Sequence, residues 1–355
     1  MRRRPATVMV WMRHACGAVL VGGALAVGTA AAAAPLTQPQ ADGPLTTRTI
    51  EFADLSDSAR GGRRVPIKVH VPQWSGPFPV VVVSHGGGGN WDANYAQARH
   101  LASHGYVVLA LEHTASNSER LRQGMRFGAN LRAMTRDASE VLGRPRDVAF
   151  ALDQAQQWNQ SHAELKGAFD MTRVAALGHS FGAYTVLAVC GARPALDWLE
   201  PSVEPGKGLG PDLSDARVKA CVALSPQGPG EPYFLDDSFA GINRPVLAIT
   251  GSRDEQQGAT PANRRRFFEL EPVGAKVFVW LANADHAAFS DATGSRRTNP
   301  PSRSRADVQP IVRAATLLFL EAQLRGEADA DARLSEQRLH PLAHGVVNHI
   351  EVLRK

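Results

Sequence analysis

Uninterrupted apolar runs, rather than alternating ones, dominate the chain beyond its first seventy-five residues. Residues 80–83 are four valines that end at Ser84, His85 and a row of glycines, and 105–111 form a second run. Others follow at 174–177, 218–224, 246–250 and 276–281. A strand without a polar face is covered on both sides, so each run predicts a strand inside a sheet that helices sandwich. The stretches 94–104, 146–158, 181–190 and 261–270 read as those helices, with Val148, Leu152 and Ala155 sharing one face of the second. A further helix is expected near 312–324. Strand and helix therefore alternate, the pattern of an α/β fold with a mostly parallel central sheet and helices on both faces. Ahead of it, 48–52 and 65–71 predict antiparallel edge strands, where Pro66 is tolerable because an edge can lose a ladder donor. No internal repeat or long linker breaks the pattern, and the Gly/Pro-rich stretches 201–211 and 226–232 read as loops. One domain over about 45–330 is expected, followed by a tail at 331–355.

The first 34 residues have a different character. Arg2, Arg3, Arg4 and Arg13 precede an Ala-, Gly-, Val- and Leu-rich stretch that ends in alanines before Pro35. A charged start, an apolar middle and small residues at the end predict a cleaved signal peptide over 1–34 and export to the periplasm or beyond. The stretch is only marginally long enough to span hydrocarbon, which weighs against an anchor. Cys16 precedes the apolar run, which weighs against lipidation there, and a twin-arginine route stays open. No other segment predicts a membrane span.

This changes how the charge is read. The chain carries 39 Lys and Arg against 34 Asp and Glu, a net +5. Four of those arginines, and no acid, lie in 1–34, so the remainder is close to neutral at +1. The basic pI thus gives no support to a nucleic-acid partner. At 44% hydrophobic residues the chain is not disordered, and three cysteines cannot build a disulfide scaffold. With Cys16 removed, Cys190 and Cys221 remain; a disulfide and two buried thiols both fit.

The chemistry concentrates in Gly178-His179-Ser180-Phe181-Gly182, between a predicted strand and a predicted helix. This is the strand–turn–helix setting of a G-x-S-x-G nucleophile elbow, with Ser180 as nucleophile. A serine needs a base, and the base needs a carboxylate to orient it and stabilise its charged form. In that chain order, Asp254 follows the strand 246–250 and His286 follows 276–281. Glu255 and Asp285 are the alternative acids, but Asp285 adjoins His286 in sequence and reads as a loop carboxylate. Among the twelve histidines, His179 lies inside the elbow, while His85 and His113 precede it. His340, His344 and His349 lack a metal-ligand pattern and read as surface residues, so no metal site is expected. The loop Ser84-His85-Gly86-Gly87-Gly88-Gly89-Asn90 has the position of an oxyanion loop; the amides of Gly87 and Phe181 are the expected donors. It lacks the lysine and spacing of a phosphate loop. Trp91 is expected in the pocket wall. The segment 114–142, with Met125, Phe127, Leu131 and Met134 among arginines, reads equally as a pocket wall, a lid or a surface helix.

These motifs, together with Val81-Val82-Val83-Ser84-His85-Gly86, Arg144-Pro145-Arg146-Asp147 and Thr250-Gly251-Ser252-Arg253-Asp254, resemble the α/β-hydrolases. Within that fold the chain is similar to the dienelactone-hydrolase-like group, the platelet-activating-factor acetylhydrolases and the bacterial polyester hydrolases. The resemblance implies a Ser180–His286–Asp254 triad, no cofactor, and a small-molecule or lipid-like ester as substrate. Serine at the position where true dienelactone hydrolases use cysteine argues against lactone specificity. Glycine at 87, where relatives carry a bulky residue, implies a more open acyl site. Acyl transfer with the same triad, a peptidase and a non-catalytic binding protein on this fold are the competing functions.

Overall fold

The computed structural model describes residues 37–291 and 302–355, together with Met1. The expected signal peptide otherwise lies outside them. A nine-stranded sheet organises the described residues. Its strands are β1 (Thr47–Phe52), β2 (Ile67–Pro72), β3 (Phe78–Ser84), β4 (Val107–Leu111), β5 (Phe169–His179), β6 (Val218–Leu224), β7 (Val246–Arg253), β8 (Lys276–Asp285) and β9 (Ile350–Arg354). Their spatial order is β1-β2-β4-β3-β5-β6-β7-β8-β9. From β4 to β8 every neighbouring pair is parallel, while β1–β2, β2–β4 and β8–β9 are antiparallel.

The valine run shows why the strands lack polar alternation. Val80 and Val82 join one apolar core, and Val81 and Val83 the other. Helices α4 (Ala138–Ser161), α5 (Phe181–Val189) and α6 (Pro261–Leu270) cover the first face; α1 (Tyr95–Ser103) and α7 (Arg305–Arg325) cover the second. Two shorter helices, α2 (Ser118–Arg122) and α3 (Phe127–Arg136), lie between β4 and α4 in the chain. No helix among the described residues is long and apolar enough to cross a membrane.

Three expectations change, and one question left open by the sequence is answered. Residues 67–72 do not form an edge: β2 lies between β1 and β4, and Pro66 stands just outside it, its carbonyl accepting from Glu112 N at 2.9 Å. Residues 331–355 are not an appendage, because β9 pairs with β8 and extends the domain past 330. Helix α4 begins eight residues before the expected 146, with the Asp137 carboxylate capping the amides of Ser139 and Glu140. Pro145 lies inside it. Cys190, at the end of α5, and Cys221 in β6 form a disulfide with a Cα separation of 6.6 Å.

Candidate active site

The turn between β5 and α5 places Ser180 at φ 57° and ψ −120°, a conformation that L-residues avoid. Crowding explains the flanking glycines. A Cβ at Gly178 would lie 2.3 Å from the Gly182 carbonyl oxygen, and one at Gly182 would lie 1.9 Å from that of Ser84. The turn presents a half-buried Ser180 at the start of α5, whose first amides, lacking helical acceptors, make the local field positive.

Two strand ends bring the other groups to it. Asp254 is the first residue after β7, and His286 the first after β8. Ser180 Oγ lies 3.0 Å from His286 Nε2, and His286 Nδ1 lies 2.7 Å from Asp254 Oδ1. The structure therefore brings Ser180, His286 and Asp254 into one hydrogen-bonded line. Asp285 is turned away, its Oδ2 accepting from Ser302 and Ser304 at 2.7 and 2.9 Å. Glu255 is exposed on the cavity wall.

Three residues around Asp254 were not anticipated from sequence. Ser225, at φ 58° just past β6, donates to Asp254 Oδ2 at 2.5 Å and lies 2.9 Å from His286 Nδ1. Thr250 Oγ1 donates to the same carboxylate oxygen at 2.8 Å. Arg264, on α6, has no exposed surface; its Nε lies 3.1 Å from Asp254 Oδ1 and donates to the Asp254 carbonyl at 2.9 Å. It also donates to the carbonyls of Ser225 and Pro226. Burial alone would raise the Asp254 carboxyl, but the Arg264 charge, then His286 and the Ser225 hydroxyl, outweigh it and hold the group well below the usual carboxylate range. The one available signal was the spacing of Arg264, Phe267 and Phe268, which puts the arginine on the buried face of α6.

His179 supports the base from behind, its Nε2–H donating to the His286 carbonyl at 3.1 Å. Burial, then the nearby His286, pushes His179 down to about 3, so it stays neutral.

Ser180 opens onto a cavity of about 970 Å³. Gly87, Leu121, Phe127 and Leu131 line it, so the segment 114–142 supplies one wall. A Cβ on Gly87 would lie 2.7 Å from Leu131 Cδ1 and 3.9 Å from Phe181 Cβ. The space left by the missing side chain is therefore occupied by Leu131, which corrects the expectation of a more open site. The Gly87 and Phe181 amides, on either side of this contact, take no part in the backbone hydrogen bonds of the surrounding turns. Trp91 is not on the cavity. The turn after the glycines directs its ring beneath Lys68, whose Nζ lies 4.8 Å from the ring centroid and pairs with Glu51 and Asp92.

A model of the Alpha/beta hydrolase family matches residues 80–351, which include the glycine loop, the elbow and both strand-end residues. The chain belongs to the alpha/beta hydrolase family. As in that family, a mostly parallel sheet is flanked by helices. It is also similar to platelet-activating factor acetylhydrolase of Cavia porcellus, 28% identical over 153 residues. That match covers 36% of this chain, and the chain spans about a third (35%) of that relative's length. In this alpha/beta hydrolase no group of three or more His, Cys, Asp and Glu among the described residues has the arrangement to hold a metal ion.

Proposed function

We propose that the protein is an exported serine hydrolase that cleaves carboxylic esters through an acyl-enzyme. The observation that carries this reading is the continuous line Ser180–His286–Asp254 opening onto the cavity. His286 Nε2 takes the Ser180 proton as Oγ attacks the ester carbonyl, and Asp254 holds the ring in the tautomer whose Nδ1 donates. The oxyanion rests on the Gly87 and Phe181 amides. The protonated His286 then delivers its proton to the leaving alcohol. Water, activated by the same imidazole, resolves the acyl-enzyme.

Export is supported by the residue pattern of 1–34 and suits the Cys190–Cys221 disulfide, since such bonds persist outside reducing compartments. Intact-mass analysis of the protein recovered outside the inner membrane tests it; a full-length chain would count against cleavage. For the chemistry, Ser180→Ala is expected to lower turnover of a graded series of acyl esters by several orders of magnitude without unfolding. A fluorophosphonate is expected to label Ser180 alone. Preserved turnover in that variant would overturn the assignment, and the preferred chain length would define the acyl class.

A further inference from the structure

Arg144, on α4, is as fully buried as Arg264 yet does not touch Ser180, His286 or Asp254 by any hydrogen bond. Its contacts instead lead to both proposed oxyanion donors. NH1 donates to the His85 carbonyl at 2.8 Å, two residues before Gly87. Nε donates to Ser116 Oγ at 3.0 Å, and the Ser116 carbonyl accepts the Gly88 amide at 2.9 Å, one residue after Gly87. The guanidinium face covers the Phe181 ring, with Cζ 4.0 Å from the centroid. One planar group thus grips the glycine loop on both sides of Gly87 and stacks on the residue that carries the second amide.

A second buried chain of hydrogen bonds braces the same loop. His113 Nδ1 lies 2.8 Å from Asp147, so its Nε2 accepts the Ser84 hydroxyl, also at 2.8 Å. The His113 amide donates to His85 Nε2 at 3.1 Å, while His85 Nδ1–H donates to the Gly86 carbonyl at 2.7 Å. Arg63 and Arg60 neutralise Asp147 from the other side. Burial lowers Arg144 to about 10, opposed first by the Glu140 carboxylate, and it remains charged at neutral pH.

We propose that Arg144 is a positioning residue that sets the separation and aim of the Gly87 and Phe181 amides. The proposal rests on the ester-hydrolase reading above. The role needs a planar cation with donors along its edge and a stacking face; an ammonium has neither the plane nor the fork. Misaligned donors weaken stabilisation of the developing oxyanion while leaving ground-state binding largely intact.

Arg144→Lys, Arg144→Met and Phe181→Leu, the last keeping its amide but losing the ring face, test this. Active sites are counted by fluorophosphonate titration, and kcat, KM and the affinity for an aryl trifluoromethyl ketone are measured per titrated site. The ketone adds Ser180 and places an oxyanion between the two amides. For both Arg144 variants kcat is expected to fall about 10- to 100-fold, with KM changing less than about threefold and ketone affinity falling by the same factor as kcat. Phe181→Leu is expected to move kcat and ketone affinity together in the same direction. A purely structural role would reduce the titratable fraction and Tm but leave both quantities per site unchanged, and that result would overturn the proposal. If Arg144→Met does not fold, unchanged values in Arg144→Lys and Phe181→Leu overturn it equally. Undiminished turnover in Ser180→Ala is a separate outcome and would defeat the underlying reading instead.

Discussion

The hydroxyl of Tyr184, on α5, donates to the carbonyl of Val141, on α4, at 2.8 Å. Val141 is four residues before Pro145, so its carbonyl is the one that loses a helical partner when proline removes an N–H. The elbow helix thus supplies the hydrogen bond that the proline deletes. Tyr184→Phe is expected to cost about 1–2 kcal/mol, because a buried carbonyl is left unpaired. Pro145→Ala restores an N–H at 145, so the Tyr184→Phe penalty should shrink in that background. Urea unfolding of the four proteins in the cycle measures it; equal penalties in both backgrounds would sever the link.

Arg264→Gln removes the strongest opposing influence on the buried Asp254 carboxyl, which then rises towards protonation. Asp254 in the native protein contributes stability above its unfolded value near 4, lost as pH falls through the depressed folded one. In the variant the acid limb of the kcat/KM profile is expected to move to higher pH, with a loss of about 1–3 kcal/mol in stability, because Ser225, Thr250 and His286 still hold the carboxylate. An unshifted acid limb would show that Arg264 does not govern Asp254.

Gly87→Ala is expected to push the Leu131 tip aside, since the two cannot coexist at 2.7 Å. Turnover of short esters should fall a few-fold. Leu131→Ala in the same chain should recover most of it by vacating that space. Steady-state kinetics on the two single variants and the double one decide the matter; no recovery would mean that the methyl group acts on the loop backbone instead.

Acid should destabilise the protein through its buried histidines. Burial is the first cause of lowered values at His70, His85, His100, His104, His113 and His179, with His70 and His113 near 4 and His100 and His179 near 3. The unfolded chain binds these protons near 6.5 and the native one does not, so stability is complete above that pH and falls below it. Burial raises Glu271 to about 8 and also raises Asp291 and Glu321, and these act in the opposite direction. The histidines outnumber them, so Tm should decline between pH 6.5 and 4.5. His100→Gln should flatten the slope by about one proton, or about 1.4 kcal/mol per pH unit. A Tm independent of pH across that window would contradict this.

The strands were legible because burial on both faces leaves a continuous apolar run, as Val80–Val83 shows. Chain order and strand ends brought Ser180, Asp254 and His286 forward. What was hidden depends on contacts between distant segments. The β9 strand is short and has meaning only beside β8. The spacing of Arg264 with Phe267 and Phe268 places it on the buried face of α6, but that its partner there is Asp254 follows only from tertiary packing. Pro145 marks a helix start unless Tyr184 is known to satisfy the carbonyl it orphans. Trp91 misled because adjacency to a glycine loop does not reveal which way the following side chain points.

The Ser84–His113–Asp147 chain repeats, in residue types and in order, the line made by Ser180, His286 and Asp254. Both have every link at 3.0 Å or less, so a template built only from interatomic distances would retrieve two sites from this one chain. Yet Ser84, His113 and Asp147 are sealed, with at most 1% of their surface exposed, and none lines the cavity. The inner trio has no room for a carbonyl carbon beside its hydroxyl. It works as masonry, and access for a reactant separates it from its outer twin.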